Sequence, residues 1–108
     1  MLLFRGSDVY QPDQSPENLQ ILKEDMMNWV VDLVNKGLHV SSEPLAQIGK
    51  QVYGAEKIVI DVPFGEKQVI GGCTIVLAKN MEGAIELAKT CPILATNANI
   101  EIRPIQSF

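Results

Sequence analysis

The chain opens with a short apolar run, Leu2-Leu3-Phe4-Arg5, closed by Gly6-Ser7-Asp8, which reads as a strand with an arginine at its exit. Polar residues from Tyr10 to Gln14 lead to Ser15-Pro16-Glu17, which offers a helix N-cap, a proline at the first helical position and an acid in the first turn. Leu19, Leu22, Met26, Trp29, Val30 and Leu33 then keep the three-and-four spacing of one buried helical face. Lys36-Gly37 supplies a basic last turn and a terminating glycine, so the pattern predicts a helix from about Pro16 to Lys36. Trp29, Met26 and Met27 all read as packing residues on it.

The period then changes to two. Leu38-His39-Val40 predicts a strand ended by Ser41-Ser42-Glu43-Pro44. Gln51-Val52-Tyr53 and Lys57-Ile58-Val59-Ile60, separated by Gly54-Ala55-Glu56, predict a hairpin with a glycine-containing loop. Cys73 to Ala78 is apolar at both parities, as expected of a central strand covered on both faces. Asn80 can cap a second helix with Ala84, Ile85, Leu87, Ala88 and Cys91 inward and Pro92 stopping it. Ile100 to Ile105 alternates again, with Glu101 and Arg103 on one face.

The element order predicts a single α+β domain over residues 1–108, a ferredoxin-like βαββαβ plan with an inserted β-hairpin. Its antiparallel sheet would carry both helices on one face. Because the central strand is apolar on both sides, the other face calls for a second copy, and a symmetric homodimer is the expected partner.

Composition narrows the chemistry. The formal net charge of −4, with no basic stripe, argues against nucleic acid as a partner. No run is long and apolar enough for a membrane span, and the opening lacks the pattern of a secretion signal, so cytoplasmic residence is the expectation. The two cysteines, Cys73 and Cys91, have neither metal nor redox spacing and read as buried thiols. No phosphate loop, nucleophile elbow or metal motif is present, so no cofactor and no metal are expected.

The segment from Asp61 to Gly72 carries the chemistry that remains. Two carboxylates and a lysine stand where apolar runs end, Pro63 biases Val62 toward extended backbone, and Gly71-Gly72 predicts a bulge or a close backbone approach. Asp61 and Glu66 are the candidate acid/base pair, with solvated surface carboxylates as the rival reading. Arg5 and Arg103 lie on strands that neighbour one another in this fold, where two guanidinium groups can converge on a small anion or be satisfied by Glu101 or Asp61. Phe64 completes the candidate ligand contacts. His39, the sole histidine, is either a proton-transfer group or an ordinary strand residue.

Asp61, Pro63, Phe64, Glu66, Lys67, Gly71 and Gly72, together with Leu2 to Arg5, Trp29 to Gly37, Glu43-Pro44-Leu45, Ala84 to Pro92 and Glu101 to Pro104, resemble the YCII-related family, in particular its DGPF-domain branch. The resemblance spans nearly the whole chain and implies a dimeric α+β barrel. It departs at Val62, where the signature has glycine, in the spacing between Glu66 and the glycine pair, which is one residue shorter, and at Cys73, where an aromatic is common. Met26 falls near the position at which the YCII-proper branch carries a histidine, so no histidine mechanism carries over. Two functional classes follow. One is a binder of a small, anionic molecule between the sheet and the 51–72 hairpin region, or a cofactor-independent enzyme of lyase or isomerase type. The other is a non-catalytic homodimeric accessory or regulatory protein whose charges are structural.

Overall fold

The computed structural model of the chain describes residues 1–6, 16–62 and 69–106. Strand β1 (Leu2–Arg5) is followed by helix α1 (Pro16–Asn35) and by strands β2 (His39–Pro44), β3 (Lys50–Tyr53), β4 (Ile58–Asp61) and β5 (Ile70–Val76). Helix α2 (Met81–Lys89), a single 3-10 turn at Pro92–Ala95 and strand β6 (Asn99–Ile102) complete the order. Four strands make one antiparallel sheet in the order β2-β5-β1-β6, and β3 pairs with β4 in a separate antiparallel hairpin. The protein is a mixed α+β structure.

Alternation sets the two sides of the main sheet. Leu2 and Phe4 of β1 are buried, as are Gly72 and Thr74 of β5, whereas Leu3, Arg5, Cys73 and Ile75 are only half-buried. The first set faces the core with Trp29 and Leu33 of α1, Ala88 of α2, Cys91 and Ile93. Phe4 meets Trp29 edge to face, with ring centroids 6.4 Å apart and the planes at 69°. The helices therefore cover one face of β5, and the second cover expected from its double apolar pattern is not supplied by the described residues.

α1 buries the face its spacing predicts at Leu22, Met26, Trp29, Val30 and Leu33. It terminates one residue short of Lys36, where Gly37 takes the left-handed conformation with φ +71°. Gly37 N–H donates to Val34 O at 3.0 Å and Leu38 N–H to Leu33 O at 2.9 Å, the paired bonds of a glycine C-terminal cap. Met27 departs from expectation: it is exposed beside Val31 and Val34, because two residues before Trp29 means about 200° around the helix. The Ser15 cap lies outside the described residues. Asn80 caps α2 as expected, its Oδ1 accepting from Gly83 N–H at 2.8 Å.

Several boundaries differ from the pattern, β5 among them, which runs over Ile70–Val76 rather than Cys73 to Ala78 because it pairs with β1 and β2 through the glycine pair. β2 does not stop at Ser41 but runs to Pro44, since the Ser42 hydroxyl bonds Thr74 across the sheet and a proline costs no ladder bond at the end of an edge strand. α2 stops at Lys89 with Thr90 as its C-cap, so Cys91 lies beyond the helix, and Pro92 begins a turn of its own, which buries Ile93. β6 closes at Ile102, before Pro104, although Arg103 N–H still donates to Met1 O at 2.9 Å.

The glycine pair does both things its sequence implies. Phe4 pairs with Gly72 and Arg5 with Ile70, so Gly71 is the extra residue of a bulge. Gly72 lies so close to β2 that a Cβ there would stand 3.0 Å from Glu43 O.

Candidate functional site

The face of the main sheet turned away from the helices carries the two candidate arginines. Leu3 pairs with Glu101 on β6 and with Cys73 on β5, and Ile75 pairs with Ser41, which puts these side chains on one surface. Its centre is apolar and half-covered, and Glu101 stands at its β6 side.

Both candidate arginines converge on that glutamate. Arg5 Nε lies 3.4 Å from Glu101 Oε1, with the arginine side chain 22% exposed, and Arg103 Nη1 donates to Glu101 Oε2 at 3.1 Å. One carboxylate therefore bridges two guanidinium groups at the side of an apolar floor, and Arg5 has a further partner besides Glu101. The arrangement can receive a carboxylate or a similar small anion at Arg103, whose side chain is 67% exposed and which has more donors than Glu101 occupies.

Asp61 is placed elsewhere. It ends β4, its side chain is 81% exposed, and Lys50 Nζ donates to Asp61 Oδ1 across the hairpin. The sequence does hold a signal for this ion pair: Lys50 and Asp61 are equally far from the Gly54–Lys57 loop, so the register that pairs Tyr53 with Ile58 also pairs them. Phe64 and Glu66 lie outside the described residues.

His39 sits at the start of β2, half-buried, and its Nε2 is 2.8 Å from Ser42 Oγ. Ser42 Oγ is in turn 3.0 Å from Thr74 Oγ1, and Thr74 is 1% exposed. The hydroxyl chain satisfies a buried polar group that sheet packing would otherwise strand, and it faces the helices rather than the arginines. Sequence reasoning did not find it, because the alternation of β2 with β5 had first to be in register. A separate open groove of about 380 Å³ runs between the helices past Asp25, Trp29, Asp32, Lys36 and Thr90. Trp29 Nε1 donates to Thr90 Oγ1 at its base, at 2.9 Å.

The two thiols occupy contrasting positions. Cys73 is half-buried on the arginine-bearing face, whereas Cys91 is 3% exposed, with its Sγ 3.6 Å from Met26 Sδ. Burial pushes the Cys91 thiol up from 9.0 to about 11, only partly offset by a backbone hydrogen bond at Ile93. The unfolded thiol ionises first, so the unfolded state loses a proton that the folded state keeps, and stability should fall as pH rises from about 9 to about 11. Below that window this thiol gives no pH dependence. Thermal melts of wild type and Cys91→Ala across the window check it, because the alanine variant should lose this component of the slope.

No helix of the described residues is long and apolar enough to cross a membrane. No curated protein matches the chain. The family model for the YCII-related domain matches residues 8–108, nearly the whole length. On that match, the protein belongs to the YCII-related family.

Proposed function

We propose that the protein is a homodimer on the ferredoxin-like βαββαβ plan, of the DGPF-domain branch, whose two sheets face each other as a dimeric α+β barrel and enclose a site for a small organic anion. The carrying observation is the sheet face that the helices among the described residues leave uncovered, with half-buried Leu3, Cys73 and Ile75 as its apolar floor and Arg5 and Arg103 around Glu101 at its side. A second sheet laid on that floor excludes water from the arginine cluster, and lower local dielectric strengthens its hold on an anion. Arg5 and Arg103 then bind the ligand, and Phe64 is assigned to the wall formed by its loop. Catalysis by Asp61 and Glu66, as a general acid and base of a cofactor-independent lyase or isomerase, is the further step of this reading.

The second reading, a non-catalytic accessory homodimer, draws support from the way Glu101 already pairs both arginines and Lys50 pairs Asp61. A thermal-shift series with small mono- and dicarboxylic acids separates the two. A ligand at 100 times its dissociation constant stabilises by about 2.7 kcal/mol. In a domain of this size that raises the midpoint by roughly 10 °C. The binding reading expects the shift in wild type and its loss in Arg5→Ala and Arg103→Ala, with both variants still folded by circular dichroism. Absence of any shift across the series leaves the accessory reading standing.

A further inference from the structure

The β3–β4 hairpin is an arm built to be covered on both sides. Gln51, Tyr53, Ile58 and Ile60 share one face by register, and Val52 and Val59 share the other with the Lys50–Asp61 ion pair. Every residue of both strands is exposed, and none belongs to the core or packs against it. Ile48, just before the arm, is 88% exposed. The arm is nevertheless fully formed, closed by a loop with left-handed Gly54 and Lys57 and by Lys57 N–H donating to Gly54 O at 3.0 Å. A lone two-stranded hairpin is at best marginally stable in water, and one with isoleucines on one face and valines on the other has more to gain from a partner than from solvent.

The whole chain is spread in the same sense. Its radius of gyration is 15.2 Å and its extents are 44 × 43 × 18 Å, whereas a compact domain of this length has a radius of about 13 Å. Its accessible surface is 7697 Å² for 11.9 kDa, against about 5,900 Å² for a compact monomer of that mass. The excess over the whole chain is roughly 1,800 Å², well above the roughly 800 Å² each partner buries in a standard interface and in the range of obligate dimers, and the arm, exposed at every residue of its strands, is part of that surface.

We infer that the β3–β4 arm docks on a second copy of this chain, each protomer's arm lying against the other and extending the contact made by the sheet faces. This rests on the homodimer proposed above and adds the arm to its interface. Two-fold symmetry uses each arm once and covers both, which a one-sided partner would not do.

The test combines sedimentation equilibrium over a concentration series with amide hydrogen exchange of the full chain. The inference expects Val52→Asp/Val59→Asp to raise the dimer dissociation constant at least tenfold, an effect of about 1.4 kcal/mol. Arm amides should be protected in the dimer and lose protection on dilution to monomer. Ile75→Asp, on the sheet floor, serves as the separate probe of the sheet-to-sheet contact. If Ile75→Asp dissociates the dimer while the arm variant leaves the constant within twofold, the arm inference falls and the dimer stands. If arm protection persists unchanged in the monomer, the cover comes from the chain itself and the inference falls. A wild type monomeric at every concentration overturns both.

Discussion

Trp29→Ala should lower the unfolding free energy by about 3–5 kcal/mol, the usual cost of removing a large aromatic from a packed core. Trp29 is buried where α1, β1 and the end of α2 meet: its ring stands edge-on to Phe4, and its Nε1 donates to Thr90 Oγ1 at 2.9 Å. Loss of the ring takes the cover from Phe4 and opens a void that the surrounding backbone, held by the sheet ladder, fills only in part. Against a total of about 5–15 kcal/mol for a domain, that loss takes between about a fifth and all of the stability. Trp29→Phe isolates the polar contribution. It keeps an aromatic against Phe4 and removes the hydrogen bond, whose acceptor lies at an exposed residue and can turn to water, so a cost of about 1 kcal/mol is expected. Urea unfolding followed by far-ultraviolet circular dichroism measures both, since the chain's one tryptophan is removed as a fluorescent probe. A loss below 1 kcal/mol in Trp29→Ala would remove this residue from the core.

That the fold is so legible in the sequence has a physical cause. α1 carries its buried stripe, its proline start and its glycine stop within one contiguous segment, and β1 and α2 are likewise locally punctuated. What was misread depends on contacts between distant segments. The extension of β2 through Ser41–Pro44 is set by pairing with β5, and Ser42 finds Thr74 only once that register exists. Met27 lies about 200° around α1 from Trp29, on the exposed side with Val31 and Val34, so its apolar character alone misleads where its spacing does not. The site divides the same way. That Arg5 and Arg103 would meet followed from β1 and β6 being neighbours, and Glu101 as their shared partner stood among the alternatives. The attachment of Asp61 to Lys50 is signalled by their equal distance from the Gly54–Lys57 loop, a matter of hairpin register rather than of residue type.

Gly72→Ala should cost about 2–3 kcal/mol, in the range of overpacking a tight interior. The added Cβ would meet Glu43 O at 3.0 Å and Pro44 Cα at 3.3 Å, both backbone atoms of the adjacent strand, so no side-chain rotamer relieves the contact. Gly37→Ala makes the comparison, because it tests conformation without contact: φ is +71° and nothing lies within 4 Å, so only the left-handed strain of about 1 kcal/mol applies. The larger effect should come with a local signature. Pushing β2 away from β5 at Gly72 weakens the bond from Leu45 N–H to Gly71 O, and the Leu45 amide should exchange faster in Gly72→Ala but not in Gly37→Ala. Because Leu45 begins the connection from β2 to the hairpin arm, the same displacement reaches the arm's root, whereas strain at Gly37 stays at the end of α1. Equal losses in the two variants, with Leu45 exchange unchanged, would mean that β2 is not held against Gly72 and that the sheet edge from which the arm departs is set by something other than this backbone contact.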